Sequence, residues 1–213
     1  MQPLKIAVLV SGRGSNLQTL IDNIEKTEIN GKIEIVVSNK KDAYALERAK
    51  NHGIEGVYIG KGNYPENDKR NDKLIEVLKA KKIDLIVLAG YMSILDRKII
   101  ELFRNRIINI HPSLIPSFCG KGFYGSKVHK AVLDYGVKLT GATVHFVDEG
   151  TDTGPVILQK AVEVDFDDTV DTLAAKVLKI EHELLALAVK LFCEDRLEVV
   201  GRKVKIKSSS DIS

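Results

Sequence analysis

The chain has 213 residues, 44% hydrophobic and 29% charged, which is the balance of a globular protein and excludes disordered or fibrous classes. Its 32 basic and 29 acidic residues leave a net charge of +3, too small for an electrostatic footprint on nucleic acid, so no nucleic-acid partner is expected. Cys119 and Cys193 are too few for a disulfide framework and have no metal-ligand spacing. No apolar run approaches the ~20 residues of a membrane span, and Met1 to Lys5 passes into a strand without a signal-peptide shape, so a cytoplasmic protein without a membrane partner is expected.

In chain order, Ile6–Val10 reads as a buried strand and Leu17–Ile24 as a helix with Leu17, Leu20, Ile21 and Ile24 on one face. A strand follows at Ile33–Val37, then a helix at Ala43–His52 closed by Gly53, and a short strand at Val57–Ile59. Asp72–Lys81 is helical with Asn71 as its cap, and Ile83–Leu88 and the run ending at Ile107-Ile108 are strands. Gly120, Gly122 and Gly125 mark Ser117–Gly125 as a loop, followed by a helix at Lys127–Tyr135. Strands at Thr140–Val147 and Val156–Val164 flank the turn Asp148–Pro155 and suit an antiparallel pair. A long amphipathic helix spans Thr169–Phe192, capped by Asp167 or Asp168, and two strands fill Leu197–Ile206.

This rhythm predicts an α/β, Rossmann-like, mostly parallel twisted sheet with helices on both faces and antiparallel strands toward the C-terminal half. With no repeats and no low-complexity linker, a single domain over 1–205 and a polar tail over 206–213 are expected. The basic residues Arg202, Lys203, Lys205 and Lys207 read as the solvated edge of a terminal hairpin.

Ligands of open parallel sheets sit at the carboxyl ends of the strands, where Ser11, Gly90 and His111 fall. Asn109 and His111 are two apart on one strand and share a face; an amide donor beside a titratable base suggests acyl transfer. Ser11-Gly12-Arg13-Gly14-Ser15-Asn16 joins a strand to a helix and forms a phosphate cradle. Leu17 stands where a dinucleotide fingerprint needs a third glycine, and Ser38-Asn39-Lys40 replaces its acid, so a monophosphate fits better. The turn Asp148-Glu149-Gly150-Thr151-Asp152-Thr153-Gly154-Pro155 offers several acids to hold His111. Gly150 and Gly154 bracket Asp152, which predicts an unusual backbone path there. His145 and Thr143 share a strand face and are possible site-lining residues. His52 and His129 are expected to face solvent, and His182 to be structural.

Ser11 to Asn16, Leu88-Ala89-Gly90-Tyr91-Met92, Asn109 to Pro116, Gly141 to Val147 and Asp152 to Gln159 resemble, in the same order, the phosphoribosylglycinamide formyltransferase family of folate-dependent enzymes. The resemblance covers most of residues 4 to 200. It implies transfer of the formyl group of 10-formyltetrahydrofolate to the amine of glycinamide ribonucleotide in purine synthesis, without a metal, by a monomer or homodimer. A 10-formyltetrahydrofolate hydrolase or another folate-dependent formyltransferase is the alternative. Residue by residue, Asn109, His111 and Asp152 match the family's catalytic trio. Gly14, Ser15 and Asn16 match its phosphate loop, and Glu181 matches a ribose-binding carboxylate. Met92, Ser93, Ile94 and Leu95, with Asn109 and Asp152, fall on its folate site. Two departures stand out. Ser93 occupies a position where many relatives carry an arginine that contacts folate. Phe118 to Gly125 also differs from the family's Pro-Gly and histidine pattern, so loop contacts do not transfer, and Cys119 reads as inert.

Overall fold

The structure, a computed structural model, describes residues 2–208; the expected tail over 206–213 lies largely outside them. The chain groups into two compact units, residues 1–108 and 109–213.

In the first unit, β1 (Leu4–Val10), β2 (Gly31–Ser38), β3 (Gly56–Tyr58) and β4 (Leu85–Leu88) run parallel in the order β3-β2-β1-β4. Ile6 to Val10 and Leu85 to Val87 are fully buried, which is why these strands read as unbroken apolar runs rather than alternating ones. The helices are α1 (Ser15–Glu25), α2 (Tyr44–Asn51), α3 (Asn67–Ala80) and α4 (Arg97–Leu102). The start of α3 differs from expectation by five residues, and Asn71 is inside the helix rather than its cap. Its first turn is polar and carries no apolar period, so the pattern becomes readable only at Leu74 and Leu78, the buried pair. The turn is held instead by Arg70, whose guanidinium donates to the Tyr64 and Pro65 carbonyls at 2.7 and 2.8 Å. The six-residue α4, capped by Asp96 accepting from Lys98 N at 2.8 Å, is too short to betray itself by periodicity.

β5 (Ile107–His111) runs across the division between the units. In the second unit the order is β5-β6-β7-β9-β8, with β6 (Leu139–Phe146) and β7 (Val156–Glu163) antiparallel, as expected, and β8 (Leu197–Val200) and β9 (Lys203–Ile206) forming an antiparallel hairpin. β9 joins β7, so the sheet edge is β8 rather than the lysine-rich strand. α6 (Val170–Cys193) buries Leu173, Val177, Leu184, Leu185, Ala188 and Val189 and packs on β6, β7 and α5 (Ser126–Tyr135). Neither Asp167 nor Asp168 caps α6. Thr169 does, in a reciprocal capping box with Thr172, while Asp168 accepts from Thr172 Oγ1, Lys176 Nζ and Asp165 N. His129 is 5% exposed, against expectation, because it shares the buried face of α5 with Val128 and Val132. Among the described residues no helix is long and apolar enough to cross a membrane.

Thr169→Ala removes the oxygen that accepts the Thr172 N–H. It is expected to lower stability by about 1 kcal/mol in urea denaturation.

Candidate functional site

Strand alternation sends Ile108 and Ile110 into the core and puts Asn109 and His111 together on the opposite face of β5. The carboxylate that faces them comes from the β6–β7 turn. Asp148 folds that turn, its Oδ1 accepting from Gly150 N at 3.1 Å and Thr153 Oγ1 at 2.5 Å. This is the ordinary backbone-holding role of a turn aspartate, and it leaves Asp152 free. Asp152 takes up a left-handed backbone (φ 57°), a conformation few side chains adopt but Asp tolerates. Gly154 permits the tight return, since a Cβ there would lie 1.8 Å from the Phe146 carbonyl oxygen.

Asp152 Oδ2 lies 3.6 Å from His111 Nδ1, and Oδ1 lies 3.7 Å from His145 Nε2. Both distances exceed hydrogen-bond range, so neither ring bonds the carboxylate directly. His145 Nδ1 is 2.8 Å from the Phe146 carbonyl, an arrangement in which it donates. Nε2 is then an acceptor and receives the Asn109 Nδ2–H at 3.1 Å. This fixes the Asn109 amide and leaves its second N–H for another acceptor. His145 therefore joins the group, whereas Thr143 does not. The Thr143 hydroxyl donates to Ser113 O at 2.6 Å and accepts from Ile115 N and Gln159 Nε2 at 3.1 and 2.9 Å. It anchors the chain that follows His111.

The segment from Ser117 to Gly125 supplies two contacts that side-chain pattern did not foresee. The Phe118 carbonyl lies 3.0 Å from His111 Nε2, and Gly120 N donates to Asp152 Oδ2 at 2.9 Å. Phe118 and Gly120 both have positive φ, and the cluster of glycines was the one available signal. Among the described residues no group of His, Cys, Asp and Glu is arranged to hold a metal ion.

Burial pushes the His111 imidazole below the ordinary histidine range; Asp152 and the Phe118 carbonyl pull the other way without reversing it, and His145 adds to the lowering. Asp152 favours the charged imidazole, but burial opposes it more strongly. The lowered pKa favours the neutral ring, in which Nε2 donates to Phe118 O and Nδ1 faces the carboxylate without a proton. For Asp152, burial alone would raise the carboxyl, but His145, His111 and the Gly120 N–H outweigh it and hold the group below the usual carboxylate range.

The other sequence-derived positions are placed as follows. Gly14 precedes α1 at φ 73°, and a Cβ there would meet Ala45 Cβ at 2.7 Å. Gly14, the N-cap of α1, has no side chain with which to cap it. Ser11 Oγ accepts from Met92 N at 2.7 Å, tying the ends of β1 and β4 together. Met92 and Ile94 are 52% and 81% exposed, and Leu95 is buried. Ser93, Ile94 and Leu95 line a cavity of about 220 Å³ within the first unit. Glu181 is half-buried on α6, beside His182.

Two outcomes are expected. Gly154→Ala forces the turn open at the Phe146 carbonyl, costing about 1–3 kcal/mol in chemical denaturation. His111, His129 and His182 all resist protonation in the folded state, chiefly through burial, so the unfolded chain binds more protons as pH falls through the ordinary histidine range. Stability should therefore be full above about pH 7 and decline toward about pH 5. Asp152 adds a second loss below about pH 4, as its depressed carboxyl is finally protonated. Urea midpoints measured across this range check both windows, and His129→Asn should flatten the first.

Residues 4–189 match the family model for formyl transferase. The phosphoribosylglycinamide formyltransferase of Haemophilus influenzae is 40% identical over 195 residues, covering 92% of this chain and 90% of that protein. The chloroplastic phosphoribosylglycinamide formyltransferase of Arabidopsis thaliana is also 40% identical over 195 residues, covering 91% of this chain and 67% of that longer protein. The solved glycinamide ribonucleotide transformylase 1 of Symbiobacterium toebii superposes with a TM-score of 0.91 at 41% identity, covering 97% of this chain and 95% of that one. With the family match spanning residues of both units, and relatives about 40% identical over nine-tenths of the chain, the chain belongs to the formyl transferase family.

Proposed function

We infer that the chain transfers the formyl group of 10-formyltetrahydrofolate to the amine of glycinamide ribonucleotide. The observation that carries this reading is the grouping of Asn109, His111, His145 and Asp152 around one face of β5. The glycine loop before α1 supports a phosphate-bearing acceptor, with Gly14, Ser15 and Asn16 offering backbone N–H groups and a helix dipole. Glu181 is assigned to the ribose hydroxyls. Met92, Ser93, Ile94 and Leu95, with Asn109 and Asp152, are assigned to the folate. The water-soluble substrates suit a cytoplasmic setting.

The acceptor amine must attack in its neutral form, and an α-amino pKa near 8 leaves a useful fraction free at neutral pH. A carbon–nitrogen bond forms to the formyl carbon, negative charge gathers on the formyl oxygen, and the bond to the folate nitrogen breaks. Much of the rate comes from holding two substrates in register, worth roughly 7–11 kcal/mol of barrier. The free N–H of the Asn109 amide is directed to the formyl oxygen; losing one such donor costs about 2.7–4 kcal/mol. His111 exchanges its Nε2–H from the Phe118 carbonyl onto the same oxygen. The proton leaving the amine passes through Asp152, directly or by water, toward the bare His111 Nδ1. A ring that starts neutral has room for that proton, and the imidazolium that results then favours protonation of the departing folate nitrogen. His145 acts as a positioning residue, because it holds the Asn109 amide in place.

Asn109→Ala and Asp152→Asn are each expected to cut turnover at least about tenfold with the fold intact. Absorbance at the folate chromophore, followed with and without glycinamide ribonucleotide, measures both. Deformylation that needs the acceptor supports transfer, and equal rates without it would replace transfer by hydrolysis. Near-wild-type single-turnover rates in both variants would remove the Asn-His-Asp mechanism.

A further inference from the structure

We propose that Arg48 is a positioning residue for the phosphate cradle: from behind the glycine loop it turns backbone N–H groups toward the acceptor's phosphate without touching the phosphate itself. This rests on the formyl-transfer reading and adds to it a residue outside the loop. The glycine loop lies directly on α2. Ala45 N belongs to the first turn of α2, where no carbonyl of the helix can take it, and it donates to Gly12 O at 3.1 Å. Further along the same helix, Arg48 Nε donates to Arg13 O at 2.8 Å. A Cβ on Gly14 would meet Ala45 Cβ at 2.7 Å, so only glycine lets the loop come this close.

In a trans peptide the carbonyl of one residue and the N–H of the next point in opposite directions. Holding the Gly12 and Arg13 carbonyls against α2 therefore turns the N–H groups of Arg13 and Gly14 to the other side. Successive N–H groups turned one way make a concavity for an anion. It continues into the start of α1, where Gly14 O accepts from Gln18 N at 3.0 Å and the Ser15 N–H is left at the open end of the helix. An Arg13 carbonyl released from Arg48 could swing its oxygen toward the phosphate and repel it. The half-buried guanidinium is itself committed. Nη1 donates to Gln18 Oε1 at 2.9 Å, and the group lies 5.0 Å from the centre of the Tyr44 ring. Gln18 Nε2 donates to Asp22 Oδ1 at 2.8 Å, which fixes the amide with its oxygen toward Arg48. A rigid fork can bridge a loop carbonyl and a helix side chain at once, a geometry that the single ammonium of lysine does not reproduce. The cradle is thus organised before the phosphate arrives, and little loop freedom is lost on binding.

Steady-state kinetics of the full chain test this, with glycinamide ribonucleotide, with the same acceptor lacking its phosphate, and with varied 10-formyltetrahydrofolate, alongside calorimetry with inorganic phosphate. Arg48→Met, which lacks the donor, should raise KM for the nucleotide about tenfold. It should move kcat and the KM for the folate less than about twofold, and kcat/KM for the acceptor without phosphate should change as little. Arg48→Lys should fall between, about threefold above wild type, and affinity for inorganic phosphate should follow the same order. Circular dichroism checks the fold of both variants. Equal losses with and without the phosphate, or an unchanged nucleotide KM in Arg48→Met, would overturn the positioning role. Wild-type behaviour in Arg48→Lys would show that charge alone suffices and would overturn it too. If Arg48→Met does not fold, the comparison of Arg48→Lys with wild type decides. Wild type without acceptor-dependent turnover would overturn the formyl-transfer reading itself. The phosphate titration still reads Arg48 in that case, and equal phosphate affinity in wild type and both variants would overturn its role.

Discussion

The site in the second unit depends on one carboxylate held in a costly backbone conformation. Asp152 sits at positive φ between two imidazoles and under the N–H of Gly120. A buried carboxylate without partners would be driven neutral. Here the surrounding donors and dipoles overcome that cost and keep it ionised. The rest of the local structure can be understood as what is needed to hold that charge in place. Asp148 folds the turn, so that Asp152 need not. Gly154 lets two carbonyl-bearing segments pass at a distance no other residue allows. Thr143 pins the Ser113–Ile115 segment, so that the chain leaving His111 has one path.

The two histidines do different work because their second nitrogens have different partners. The Nδ1 of His145 is committed to the Phe146 carbonyl, which turns Nε2 into an acceptor and makes the ring an orienting clamp for Asn109. His111 spends Nε2 on the Phe118 carbonyl and leaves Nδ1 open toward the carboxylate. Burial keeps it neutral, and a neutral ring is the form able to take up a proton during acyl transfer. A histidine charged from the outset would be a better electrostatic donor but could not serve as a proton acceptor.

Much of this was legible in the residues. Unbroken apolar runs identified the parallel strands, because burial on both faces leaves no polar alternation. The two-residue spacing of Asn109 and His111 placed both on one face, because the pleat permits nothing else. Gly150 and Gly154 around Asp152 foretold its unusual backbone. The glycine loop, with Leu17 where a third glycine would stand, argued for a phosphate cradle over a dinucleotide site. These signals are local, set by steric rules that act over a few neighbouring residues.

Tertiary structure decided what local rules cannot reach. It distinguished Asp148 from Asp152, two turn acids of the same chemistry, by which one the β6–β7 turn consumes. It gave the cap of α6 to Thr169 rather than to an aspartate, because the helix begins one residue later than the acids suggest. It buried His129, on the helix face it shares with Val132 three residues on, where a histidine by itself reads as solvated. It brought the backbone of Phe118 and Gly120 onto His111 and Asp152, contacts made by groups every residue carries and which no side-chain pattern can announce. Residue types and spacing determined which chemistry the chain carries. Packing between distant segments determined which of those residues come together, and which way their proton affinities shift, because desolvation and charge depend on everything within a few ångströms regardless of its place in the chain.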